Sequence, residues 1–188
     1  MFAKVAWHDD LLWQEIKNDA LFTEHKFESG KYPSSKWKRE MLLCEHSPIR
    51  TGHLIIELHD TPVFVIDHLV RHNVGFTPFV SSLRDDRNDF PEGYVPNRET
   101  PNAVRFDGNF QAFINISRRR LCSKSHPKTK EAWQMVRDAI EAVEPELAKC
   151  MVPECVYRGW CYERRSCGYF RTEKYKNELT EYRSGINE

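Results

Sequence analysis

The sequence predicts a mixed α/β (α+β) fold, helix-rich with a small sheet, laid out as one domain over residues 1–188. Three observations lead there. Trp133, Val136, Ile140, Val143 and Leu147 recur at intervals of 3, 4, 3 and 4, which is one apolar face of a helix. HLIIELHD, residues 53–60, is β-branched and apolar over the length of a strand. The chain of 188 residues is long enough for one well-filled core and short for two.

Taken in order, residues 9–27 place Leu11, Leu12, Ile16, Leu21 and Phe22 at near-helical spacing, with Asp9 or Asp10 as N-cap. ESGKYPSS (28–35) is a turn-rich break. A second helix over 36–44 runs into HSPIR, where Pro48 disfavours its continuation. After the strand at 53–60, TPVFVIDHLVRHNV reads as a helix with Thr61 as N-cap and Pro62 at its first position. On it, Asp67, His68, Arg71 and His72 become neighbours by i, i+4 spacing. Residues 85–108 are rich in Asp, Asn, Pro and Gly and read as a long loop of the kind that carries function. Residues 109–121 form a helix, SKSHPKT a break, and 130–149 the clearest helix, which Pro145 kinks or ends early. The charged tail after Gly168 is helical or frayed.

Lys plus Arg and Asp plus Glu each number 28, so no overall field recruits a polyanion or an anionic membrane. Nucleic acid is therefore an improbable partner. The start MFAKVAWHDDLLW lacks an apolar core of signal-peptide length, and the longest apolar runs, such as Pro62–Ile66, are far below a membrane span. These features point to a soluble, cytoplasmic protein.

Four groups of residues could carry chemistry. HSPIR (46–50) and HLVRHN (68–73) gather histidines and an arginine, which suit an anion or a polarised ring, though surface polarity explains them equally well. FVSSLRDDR (79–87) offers hydroxyls and guanidinium forks for phosphate or pyrimidine carbonyls, and suits ordinary turn capping too. In NFQAFINISRRRLC (109–122), Asn109, Gln111 and Asn115 precede three adjacent arginines. These point about 100° apart on a helix, so one can enter a site while the others face solvent or a partner. Cys150, Cys155, Cys161 and Cys167 follow the pattern C-x4-C-x5-C-x5-C within a Cys-rich segment, 150–168. Short thiolate spacings hold structural zinc or an iron–sulfur cluster, and disulfides or buried free thiols compete with that reading. The chain has no GxGxxG, Walker A, GxSxG or HExxH motif.

In their order and spacing, HSPIR, TPVFVIDHLVRHNVGFTPFVSSLR, the Asn-rich helix ending RRRLC and EAWQMVRDAI together resemble the flavin-dependent thymidylate synthases. The resemblance spans roughly residues 44–168, and PECVYRGWCYERRSCG is similar to a cysteine-bearing C-terminus found in part of that family. It implies that family's fold and its chemistry. FAD, reduced by NADPH, works with methylenetetrahydrofolate to place a one-carbon unit on C5 of dUMP, in a homotetramer whose sites are built by several chains.

Residue by residue, the resemblance assigns Arg71 and His72 to the first two positions of the family's RHR signature, contacting flavin and nucleotide. His46, Asn73, Asn109, Gln111 and Asn115 fall at flavin-binding positions. His68, Arg71, Ser81, Ser82, Arg84 and Arg120 fall at nucleotide-binding ones, with Arg120 and Arg71 as the catalytic pair. Ser81 matches the signature serine by direct count, and Ser82-x-Arg84 reproduces its serine-x-arginine pair one residue on. The departures are plain. Asn73 replaces the third signature residue, an arginine; Phe76 and Pro78 replace a serine and an asparagine. His68 stands for a glutamine and Gln111 for an arginine, and the stretch from Arg84 to Asn109 is short. A changed ligand set can redirect specificity by orders of magnitude.

Three functions therefore stand. The first is thymidylate synthesis on FAD. The second is a related flavin enzyme acting on another pyrimidine nucleotide or stopping at hydroxymethylation. The third is a non-catalytic, metal-stabilised binding module built on Arg118–Arg120 and the cysteines.

Overall fold

Alternation along His53–Pro62 organises the molecule. In the computed structural model, which describes residues 1–27 and 30–184, Leu54, Ile56 and Leu58 are fully buried, while the intervening residues are partly exposed. That period of two makes one face of the strand core and the other solvent. Four strands make up the sheet, and β4 repeats the alternation: β1 (Phe2–Trp7), β2 (His53–Pro62), β3 (Phe76–Val80) and β4 (Pro101–Asn109). They form one antiparallel sheet in the order β1-β2-β4-β3. The outer face is polar and cross-linked by Lys4–Glu57, Arg105–Glu57 and His53–Asp107 pairs. Pro78 sits on β3, an edge strand, where its missing N–H costs no ladder bond.

Eight helices complete the described chain: α1 (Leu12–Thr23), α2 (Ser35–Leu43), α3 (Val63–Leu69), α4 (Phe110–Arg120), α5 (Pro127–Glu141), α6 (Pro145–Cys150), α7 (Glu154–Arg158) and α8 (Glu173–Arg183). Helix α5 packs on β1 and β2 and against α6. It presents Trp133, Val136 and Ile140 to the core, all wholly buried. Phe76, Phe106, Phe113 and Trp133 form an aromatic cluster between sheet and helices, with ring centroids 4.7–6.3 Å apart. No helix among the described residues is long and apolar enough to cross a membrane.

The expected mixed fold, helix-rich with a small sheet, is present, and the strand at 53–60 extends to Pro62. Several boundaries differ. Thr61 and Pro62 open the helix one residue later than expected, with Pro62 as the N-cap residue and no side-chain cap. They also end β2, where Thr61 Oγ1 donates to the His59 carbonyl and the ladder shifts register after Leu58. The N-terminal amides of α3 instead find acceptors across the sheet end, Val63 on Thr100 and Phe64 on Arg98. Helix α3 stops at Leu69, so Arg71, His72 and Asn73 lie in the turn beyond it rather than on the helix.

The long loop expected over 85–108 is shorter, because residues 101–109 form β4, paired with β2 and, over 104–108, with β3 as well; its polar letters on the solvent face hid the strand. HSPIR forms a 3₁₀ turn, Ser47–Arg50. The helix expected at 130–149 starts earlier, at Pro127, and divides before Pro145 into α5 and α6. Val143 falls in that gap and is exposed. The break at 28–35 includes Glu28 and Ser29, and the tail ends in residues 185–188; these lie outside the described residues.

Gly108 lies where β4 passes beneath Phe76. A Cβ there would meet two Phe76 ring carbons at 2.6 Å and a Phe113 ring carbon at 3.2 Å. Gly108→Ala is expected to destabilise the chain by about 1–3 kcal/mol through overpacking. Urea unfolding reads this directly, and an unchanged midpoint would show that the aromatic cluster has slack.

Candidate functional site

Helix α4 carries the site along its length of about 16 Å. It begins without a connector, since Asn109 is both the last residue of β4 and the N-cap, its side-chain carbonyl accepting from the Ala112 amide at 2.9 Å. Phe110, Phe113, Ile114, Ile116 and Ser117 are buried against the sheet and α5, which leaves Gln111, Asn115 and the arginines at the margin.

The three arginines separate as helical geometry requires. Arg118 pairs with Glu45 and stacks on Tyr157 at 3.5 Å. Arg119 faces outward towards Glu163, at 3.6 Å. Arg120 turns to the residues after α3: its Nε donates to His72 Nε2 at 2.9 Å, and Nη2 donates to the His68 carbonyl.

An arginine can only donate. His72 Nε2 is therefore an acceptor, so the ring is neutral with its proton on Nδ1. Burial, and then the Arg120 and Arg119 cations, pull the His72 pKa down to about 4. His68 is lowered too, by burial first and then by Arg120, Arg71 and His126, against a weaker pull from Asp67. Burial and the nearby Arg71 lower Arg120, which stays a cation. The arrangement is a cationic corner made by Arg71 and Arg120, with two histidines held neutral beside it. It suits an anion or the carbonyl edge of a polarised ring.

Two residues support this corner that the sequence did not single out. Thr129, buried in the first turn of α5, lies 2.9 Å from His68 Nδ1 through its hydroxyl. His126, just before α5, meets the Phe64 ring edge-on at 4.9 Å and lies 6.2 Å from the His68 ring. Pro127 in the first turn of a helix was the signal that could have placed them, because proline is favoured there.

A second group lies further along α4. Gln111 donates to Glu45 at 2.7 Å and to Asn115 at 3.2 Å, and Arg118 donates to Asn115 at 3.0 Å. Glu45, the residue before His46, has φ of 51° and holds this network to the end of α2. His46 itself is exposed beside it. Ser81, Ser82 and Arg84 stay apart. The Ser82 hydroxyl accepts from the Arg84 amide, Arg84 pairs with Asp86 through both nitrogens of its fork, and the Ser81 carbonyl accepts from Asn102. Among the described residues no hydrogen bond or ion pair joins them to Arg120 or His72.

The cysteine set departs from expectation. Cys150 does not join Cys155, Cys161 and Cys167, because α6 turns it into the main core, where Arg39 donates to its sulfur at 3.5 Å. Burial pushes its thiol up to about 12. All six cysteines are free, and among the described residues no three His, Cys, Asp or Glu side chains stand gathered as a metal site.

No protein-family model matches the chain, and no curated protein sequence matches it. Solved structures do. The flavin-dependent thymidylate synthase ThyX of Helicobacter pylori, complexed with FAD and dUMP, superposes with a TM-score of 0.65 at 11% identity, over 81% of this chain and 100% of that one. A second structure of that enzyme with FAD and dUMP gives 0.64 at 12% identity, over 80% and 99%. The fold is that of the flavin-dependent thymidylate synthases. The UMP/dUMP methylase PolB of Streptomyces cacaoi, bound with 5-Br dUMP, superposes with a TM-score of 0.59 at 11% identity, over 79% and 93%. Identity this low leaves the flavin-dependent thymidylate synthase fold as what is shared, and it makes the local geometry of α4 the basis for any reading of chemistry.

His72 supplies a pH signature. Its folded pKa lies below the ordinary histidine value of about 6.5, so between those two values the unfolded chain binds the extra proton. Stability is expected to be fully present above about pH 6.5 and to fall as the pH drops towards 4. His72→Gln keeps an acceptor for Arg120 and cannot titrate. Urea midpoints at pH 7 and pH 5 should differ less in the variant; an identical pH dependence would remove His72 as the cause.

Proposed function

We propose that this chain is a flavin-dependent thymidylate synthase-like enzyme acting on dUMP. The observation that carries the proposal is the hydrogen bond from Arg120 to a neutral His72 beside Arg71. Making C5 of a uracil ring nucleophilic builds negative charge on the ring, shared by its carbonyl oxygens. A guanidinium already positioned by His72 and the His68 carbonyl would meet that charge without reorganising. His72, with its proton on Nδ1, adds a neutral donor. Arg71 is exposed and forms no hydrogen bond or ion pair among the described residues, which leaves its fork for the nucleotide or a cofactor phosphate.

The residues along α4 fit a flavin. Arg118 Nε is buried without a partner, and Asn109 caps α4 through its oxygen, which leaves its NH₂ as a donor. In this reading His46, Arg71, His72, Asn73, Asn109, Gln111 and Asn115 would hold FAD, and His68, Arg71, Ser81, Ser82, Arg84 and Arg120 would hold dUMP. Bound there, FAD supplies the hydride that completes the transferred carbon as a methyl group, with methylenetetrahydrofolate as its donor and NADPH as the reductant. The protein's own work is orientation and electrostatic activation. Ser81, Ser82 and Arg84 lie apart from Arg120 within one chain, which accords with a homotetramer in which they serve a neighbouring subunit's site.

Incubation with FAD, NADPH, methylenetetrahydrofolate and dUMP should yield dTMP, with the visible spectrum of bound flavin on the purified protein. Turnover to a different pyrimidine nucleotide would redirect the specificity, and failure to bind FAD would sink the proposal. Arg120→Ala should weaken dUMP binding by roughly 1.5–3 kcal/mol, the worth of a hydrogen bond to a charged group, while flavin is retained. Arg71→Ala should weaken flavin or nucleotide binding while leaving the urea midpoint unchanged; unaltered titrations of both ligands would refute its role.

A further inference from the structure

A cavity of about 540 Å³ opens where the turn after α4 meets α5, α7, α8 and the 159–168 loop. It shares Arg119 with the end of α4, but none of Arg71, His72 or Arg120 lines it. Four of the six cysteines do: Cys122, Cys155, Cys161 and Cys167. They come from three places in the chain, the turn after α4, helix α7 and the loop beyond it. All four line the same cavity alongside its charged residues rather than the main core.

The surroundings suit a charge that neutral thiols do not carry. Arg119, Lys124, Lys130, Arg137, Arg158 and Lys174 line the cavity against Glu154, Glu163, Glu178 and Glu181, six cations to four carboxylates. A divalent cation on four thiolates has a net charge of −2, and the lining offsets it. The apolar support here is thin. Val152, Cys155, Val156, Tyr175 and Tyr182 form a small cluster separate from the main core, and small cores commonly draw their stability from a bound metal.

We propose that Cys122, Cys155, Cys161 and Cys167 bind one thiophilic divalent cation, zinc, as a closed four-thiolate site. It replaces the linear set that included Cys150. As they stand the four thiols are not gathered on one point, so binding draws in the 159–168 loop, which carries Cys161 and Cys167 and has no helix or strand of its own. The exchange is balanced: one cation enters and four thiol protons leave. The site fastens the C-terminal segment to the end of α4 and takes no part in the chemistry beside His72.

Elemental analysis of the full chain, grown with zinc and desalted, should find about one zinc per chain. Cobalt(II) added to the metal-stripped protein should give the thiolate charge-transfer and visible bands of tetrahedral sulfur coordination. Cys122→Ser and Cys161→Ser should each weaken metal binding by more than about tenfold, while Cys150→Ala and Cys44→Ser keep it. Should a serine variant fail to fold, the cobalt spectrum of the unaltered chain still decides. Four outcomes would overturn the proposal: no stoichiometric metal; full retention in folded Cys122→Ser; inorganic sulfide with brown colour, signifying an iron–sulfur cluster; or fewer than six free thiols in the unreduced, unfolded chain, signifying disulfides.

Discussion

Trp133 on α5 donates its indole N–H to Ser117 on α4 at 2.8 Å, and Ser117 passes a hydrogen bond back to the Phe113 carbonyl one turn earlier. Both residues are wholly buried. Each polar atom there must find its partner within the protein, because an unmade bond in that setting costs about 1–3 kcal/mol. The Trp133 and Phe113 rings stack beside it, 6.3 Å apart and 19° from parallel. Together these contacts set the rotation of α4 about its axis. That rotation decides which arginine goes where, since each further residue turns the side chain by about 100°.

The consequence is three adjacent cations in three environments. Arg118 is drawn onto Glu45 and Tyr157, Arg119 remains at the surface, and Arg120 is delivered to the turn after α3. Placing Arg120 beside Arg71 is unfavourable in isolation, and burial adds to the cost. The histidines relieve part of it by remaining neutral acceptors or neighbours rather than adding charge. A site held in this state is poised for an electron-rich ligand. The same residues are an energetic burden without one.

Arg39 ties the C-terminal helix to α2. Arg39 on α2, almost fully buried, donates to the Glu181 and Tyr182 carbonyls at the end of α8, at 3.1 and 2.8 Å. A guanidinium at a helix C-terminus satisfies free carbonyls and opposes the helix dipole. The same side chain reaches the sulfur of Cys150, which α6 carries into the main core, so one arginine touches both α8 and the thiol that lies apart from the others.

Much of this was legible in the letters. The 3.6-residue apolar period of residues 130–147, the β-branched run at 53–60 and the punctuation by Pro145 are local signals, and local geometry obeys them. The likeness of ordered motifs to one family was legible as well, and the fold agrees with it. The strands at 2–7, 76–80 and 101–109 were not, because polar solvent-facing residues and prolines obscure short edge and loop-flanking strands whose pairing is non-local. Arg71 and His72 could be named from sequence, but their partners could not. Arg120 meets His72 across 48 residues, and Thr129 meets His68 across 61. The sequence by itself determined which residue types were available and where helices could form. Only the tertiary structure decided that His72 is neutral, that Arg120 is the arginine turned inward, and that Cys122 rather than Cys150 lies with the other thiols. Protonation, direction and company depend on burial and on neighbours distant in the chain, which no local spacing encodes.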